Sequence, residues 1–200
     1  QGPTAAAYEA DWMKGFWHDR AMRDPWVMRD PSGDGWLMYF TARAPGIGEA
    51  NAGGAIGFAT SANLTDWTLR EPVFVGGYGQ LEVPQVFEHG GRWYCLFCTH
   101  ADHFSAELAT ATPGGPTSGS HSLIGESPRG PWRVAPGFLD GARPARRYAA
   151  RIVTTPDGPV IMGFAEGGRE NFQGFVMDPE PVVDNADGLL PLGRAAQAAE

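Results

Sequence analysis

Two carboxylates stand in settings suited to chemistry, Asp24 in Arg23-Asp24-Pro25 and Glu82 in Glu82-Val83-Pro84. A pair of acids in unlike surroundings can divide the work of breaking a glycosidic bond. One stays charged, to attack or to activate water, and the other carries the proton that the leaving group takes. Proline fixes its own φ and drives the residue before it out of the helical region; with a proline directly after Asp24 and another two residues after Glu82, each acid is expected at the mouth of a strand rather than along a helix face. Taken singly, either acid can also cap a turn or pair with an arginine. Arg23 joins them as a candidate for ligand binding.

Around these acids the candidates are aromatic and polar. The apolar face of a sugar ring stacks on an indole or phenol, and Trp17, Trp26 and Tyr78 are the expected platform. Trp36, Trp67, Trp93 and Trp132 recur at repeated positions and read instead as core between sheets. His100-Ala101-Asp102-His103 can reach the site through His100 or hold an ion; two histidines and one aspartate are a weak metal signal, so the stretch reads as a polar loop and no metal is expected. Cys95 and Cys98 lie three apart on one expected strand and face opposite sides, so they form no bridge and no zinc site. No glycine-rich phosphate loop runs from a strand into a helix, and no Gly-x-Ser-x-Gly elbow occurs, so no cofactor is expected.

The elements that must position these groups repeat along the chain. Asp24–Phe40, Val83–Phe97 and Ala149–Phe164 each read as an apolar strand, a glycine-containing turn and a second strand rich in aromatics. Further strands follow the first hairpin at Ala55–Ser61 and Glu71–Val75, the second at His121–Ser127, and the third at Asn171–Met177. A repeat of about 60 residues suits a four-stranded antiparallel blade. The predicted fold is therefore all-β, a β-propeller with about three blades at 23–76, 81–140 and 146–192, with residues 1–22 packed on it as an N-terminal segment. The only helical signal falls at Ala195–Glu200. The first strand of each blade lines the axis, which is why Asp24 and Glu82 are expected to converge.

The chain's 200 residues suffice for a substantial core, and 28 glycines with 17 prolines favour many short strands over long helices. A formal charge of −8 disfavours binding to a phosphate backbone. No apolar run approaches the roughly 20 residues that span a bilayer, so neither nucleic acid nor membrane is an expected partner. Gln1–Ala10 shows no positively charged start followed by an apolar stretch, a pattern that removal of a signal peptide would also leave, and the compartment stays open. Propellers close with four to eight blades. Three blades imply either a longer protein or copies that associate, as a homo-oligomer, to complete the ring.

The motifs resemble those of the five-bladed β-propeller glycoside hydrolases of families 32, 43 and 68, the β-fructosidase superfamily. Arg23-Asp24-Pro25, Ile56-Gly-Phe-Ala-Thr-Ser61, Leu64-Thr-Asp-Trp67, Glu82-Val83-Pro84 and Tyr148-Ala149-Ala150 follow one another in the same order, between about Arg23 and Phe164. The resemblance implies that Asp24 holds sugar hydroxyls and stabilises the transition state, that Glu82 is the general acid/base, and that Tyr148 belongs to the site. It also implies a nucleophilic aspartate in a preceding blade, within a Trp-Met-Asn-Asp-Pro-like motif. This sequence has no such motif, only Asp11-Trp12-Met13-Lys14, and Val83 stands where the superfamily has cysteine. The expected activity is that of a glycoside hydrolase on a fructosyl- or arabinosyl-type glycoside. The alternative is a carbohydrate-binding or assembly module that keeps the scaffold without the catalysis.

Overall fold

The computed structural model describes residues 6–9, 20–135, 147–165, 174–184 and 188–191. They form three four-stranded antiparallel sheets. The first runs β1 (Met22–Arg29), β2 (Trp36–Arg43), β3 (Gly54–Ser61), β4 (Trp67–Val75), and the second β5 (Glu82–His89), β6 (Arg92–Thr99), β7 (Gly119–Gly125), β8 (Trp132–Val134). The third is β9 (Arg147–Thr155), β10 (Gly158–Ala165), β11 (Glu180–Asp184), β12 (Leu189–Pro191). Each sheet keeps sequence order from its first strand to its last, the up-and-down course of a propeller blade. β5 packs against β1 and β2 of the first blade, and β9 against β5, β6 and β7 of the second.

Side-chain alternation explains how the blades stack. Along β2, Leu37 and Tyr39 enter a core shared with the second blade, whereas Phe40 and Ala42 turn to the opposite face. β6 divides in the same way: Cys95 and Phe97 face the first blade, and Tyr94 and Leu96 the third. A strand buried on both faces is apolar throughout, which is the pattern of Tyr94-Cys-Leu-Phe-Cys98. The outer face of the first blade is covered by Tyr8, whose ring centroid lies 5.5 Å from that of Phe40. The Tyr8 hydroxyl accepts from the Phe58 amide at 2.9 Å and donates to the Arg70 carbonyl at 2.6 Å. Gly57 is required where Phe40 crosses it, because a Cβ there would lie 2.1 Å from the ring.

One irregularity recurs in all three blades. The ladder slips between Arg23 and Trp26, between Glu82 and Gln85, and opposite Met162 and Phe164, where β9 runs from Tyr148 to Arg151. Within each slip a residue other than glycine takes a left-handed backbone: Asp24 at φ 58°, Val83 at 47° and Ala149 at 50°. Such residues cost on the order of 1–3 kcal/mol each and persist where the surroundings fix them. These are β-bulges, and they bend each inner strand at the axis.

The bulges fall at the residues that open the three expected hairpins. Asp24 matches Val83 and Ala149, and Glu82 matches Arg23 and Tyr148, so the two acids occupy neighbouring rather than equivalent positions. A departure from expectation is a short helix, α1 (Ala106–Ala111), capped by the Ser105 hydroxyl accepting from the Leu108 amide at 3.3 Å. The expected helix at Ala195–Glu200 lies outside the described residues.

Candidate active site

The bulges carry three side chains to one point. Arg23, Glu82 and Tyr148, at matching positions in consecutive blades, bond to one another through Glu82. Arg23 Nη2 donates to Glu82 Oε1 at 2.7 Å, and the Tyr148 hydroxyl donates to Glu82 Oε2. Both oxygens of Glu82 are thereby engaged. The same guanidinium reaches Asp24, with Nε 3.5 Å from Oδ2, and it also donates to Gln80 Oε1. Arg23 is thus the cation shared by the two acids that the sequence singles out.

Asp24 is held on one side only. Its Oδ2 accepts from the Thr41 hydroxyl at 2.9 Å and from the Val83 amide at 3.3 Å. Oδ1 takes no hydrogen bond among the described residues. Both acids keep 27% of their side-chain surface exposed, and Arg23 35%, so the cluster is half-buried and reachable by solvent. Burial first, and then the charge and hydrogen bond of Glu82, push the Tyr148 phenol far above its ordinary pKa. Tyr148 therefore keeps its proton and donates it to the bond with Glu82.

The other sequence candidates fall elsewhere. Trp26 is half-buried between the first two blades, its Nε1 donating to the Val86 carbonyl at 2.9 Å and its ring 5.9 Å from the Arg151 guanidinium. Tyr78 corrects the expectation of a sugar platform. It is 1% exposed and packs edge-on against Phe97 and Phe104 in the core between blades, so its ring has no open face for a ligand. His100 is exposed and turned to its own loop: its Nδ1 accepts from the Asp102 amide and lies 3.3 Å from the Asp102 carboxylate. It is not brought to the acids. Trp17 and the Asp11-Trp12-Met13-Lys14 string lie outside the described residues. Among the described residues no three His, Cys, Asp or Glu side chains are grouped to hold a metal ion.

Three residues that touch this site escaped the sequence reading. Thr41 lies inside an apolar strand, opposite Arg23 in the ladder. Gln80 precedes the second motif by two residues. Arg151 donates from Nη1 to the Val83 carbonyl and so braces the second bulge. For Arg151 the available signal was the repeat, in which Arg151, Gln85 and Trp26 stand two residues after Ala149, Val83 and Asp24.

No family model and no curated protein matches the sequence. Solved structures do. The inulosucrase from Halalkalicoccus jeotgali bound to kestose superposes with a TM-score of 0.74 at 21% identity, over 94% of this chain and 54% of that one. The levansucrase from Gluconacetobacter diazotrophicus gives 0.71 at 16% identity, over 94% and 47%. The catalytic domain of the Microbacterium saccharophilum K-1 β-fructofuranosidase gives 0.66 at 16%, over 94% and 51%. The chain spans about half the length of these structures. Its fold is that of part of the β-propeller of inulosucrase, levansucrase and β-fructofuranosidase.

Proposed function

We propose that the chain carries the acid-bearing part of a glycoside-processing site, in which Asp24 and Glu82 act on a fructosyl- or arabinosyl-type glycoside. The observation that carries this reading is the single guanidinium, Arg23, engaging acids from two blades at 2.7 and 3.5 Å. Two carboxylates that share one cation lie close enough to meet one ligand. A ligand meeting Asp24 Oδ1 therefore also comes within the surroundings of Glu82.

The roles follow from the hydrogen bonds. Asp24, with Oδ2 pinned and Oδ1 free, presents one fixed anionic oxygen to sugar hydroxyls and to the positive charge that develops at the anomeric carbon. Glu82 is the proton carrier. As the acid it gives its proton to the glycosidic oxygen as that bond breaks, and as the carboxylate it takes one from an incoming hydroxyl or water. Arg23 and Tyr148 hold it in orientation. The solved enzymes of the same fold, one of them bound to kestose, support a fructosyl sugar as ligand.

A second reading is favoured by one observation. Val83 and Ala149 stand where Asp24 stands, so the other two bulges bring no carboxylate at that position. A module that binds the sugar without cleaving it needs no third acid. Calorimetry with kestose, paired with turnover of kestose, fructans and aryl glycosides, separates the two. Cleavage that falls by orders of magnitude in Glu82→Gln, with binding retained, supports the enzyme. Binding without turnover in the native chain supports the module, and the absence of both removes the site from carbohydrate chemistry.

A further inference from the structure

Behind the three side chains that meet at the axis lies a second tier, one residue from each second strand. In register, Arg23 faces Thr41, Glu82 faces Cys98 and Tyr148 faces Phe164. Thr41 and Cys98 are fully buried, and each spends its one polar atom on a bulge. The Thr41 hydroxyl donates to Asp24 Oδ2 at 2.9 Å, and Cys98 Sγ accepts from the Ala149 amide at 3.0 Å. Phe164, 46% exposed, has no polar atom to offer.

We infer that Thr41 is a positioning residue, which sets the plane of the Asp24 carboxylate so that Oδ1 alone faces the ligand. This rests on the reading of Asp24 as a sugar-binding acid. An aspartate side chain has a soft terminal torsion, broad and roughly two-fold, so its rotamer does not set the plane of the carboxylate. Neighbours must decide it. The Val83 amide, at 3.3 Å, is the longer of the two bonds to Oδ2 and belongs to the next blade; the Thr41 hydroxyl is shorter, buried and on the partner strand of the same blade. With the hydroxyl removed, Oδ2 keeps only the two longer contacts, the Val83 amide at 3.3 Å and Arg23 Nε at 3.5 Å, and the plane can swing between them. The carboxylate then loses its single orientation.

Thr41→Val tests this, since it exchanges the hydroxyl for a methyl group of similar size; Thr41→Ala serves if valine disturbs the strand, and Thr41→Ser restores the donor. Crystal structures of the variants read the orientation directly, whatever the ligand. We expect the Asp24 carboxylate to be turned or split in Thr41→Val and single in Thr41→Ser. Kestose calorimetry reads the consequence. A bond to a charged group sets the scale, and affinity should fall about tenfold in Thr41→Val and stay within about twofold of native in Thr41→Ser. An unmoved carboxylate in Thr41→Val and Thr41→Ala overturns the inference. So does unchanged kestose affinity in both, where Asp24→Asn itself weakens binding. If Asp24→Asn binds kestose as tightly as the native chain, or if the native chain does not bind it, the sugar-binding reading of Asp24 fails instead. The crystal comparison still decides whether Thr41 orients the carboxylate.

Discussion

The junction between the first and second blades and the junction between the second and third use the same positions with different chemistry. At the first, Trp26 pins the next inner strand through the Val86 carbonyl. At the second, Gln85, at the same offset past its bulge, pins Ile152 through both its carbonyl and its amide, at 2.7 and 2.8 Å. The amide of each succeeding bulge residue is met from the blade before, by Asp24 Oδ2 at the first junction and by Cys98 Sγ at the second. Across the axis the first junction has the ion pair Arg23–Glu82 and the second the neutral donor Tyr148 on the same Glu82. The repeat thus fixes where bonds must form and leaves open which residues form them. Among the described residues the ion pairs between blades, Arg23–Glu82 and Arg129–Asp30, join the first two, whereas the second junction sets the Arg151 cation against a carbonyl; the candidate chemistry lies at the first.

The comparison is broken most severely at Glu82, the residue common to both sides. Glu82→Gln should lower turnover by about two to four orders of magnitude, the scale of a lost acid/base, while the melting transition changes little. Turnover equal to that of the native chain would take Glu82 out of the mechanism. Gln85→Leu comes next. It leaves the buried N–H and C=O of Ile152 unpaired, for a loss of about 3–4 kcal/mol in urea unfolding, with the charged junction untouched.

Acidity sharpens the contrast. His121 lies among Tyr78, Phe97 and Phe104, beside the core of the first junction, and burial lowers its pKa to about 4. The unfolded chain holds the proton more tightly, with a pKa of about 6.5, so stability should be full above that value and decline by about 3 kcal/mol as pH falls to 4. His121→Phe should flatten this slope in melts taken across that range. The smallest effect is expected from Trp26→Phe, which removes one bond to the Val86 carbonyl for about 1 kcal/mol. A loss as large as that of Gln85→Leu would mean that the two pins are not counterparts.

The hairpins were legible because apolar alternation and glycine turns are local signals, and the convergence of Asp24 and Glu82 followed from placing their strands first in each blade. The hairpin starts at Asp24, Val83 and Ala149 already carry the offset between the two acids, but the bulges that present it were not legible. A left-handed backbone is announced by glycine or asparagine, and here it falls on aspartate, valine and alanine, held by contacts between blades. Tyr78 was misread because a loop residue beside two glycines looks exposed, whereas the 76–81 connection runs under Phe104, to which Tyr78 is bridged. Thr41 and Cys98 were hidden inside apolar runs, where a single polar atom disturbs no periodicity. What these residues do depends on partners more than fifteen positions away, and no window along the sequence contains both.

The bulges separate two kinds of change. Each bends its strand just after a residue that is still paired in the ladder, 23, 82 or 148, whose side chain meets the others at the mouth, so a substitution there alters what the mouth offers while the backbone pairing stays. Drift at these sites can retune ligand preference while the stacked blades stay as they are, and a designer who wants a new specificity has three sockets to fill before touching the frame.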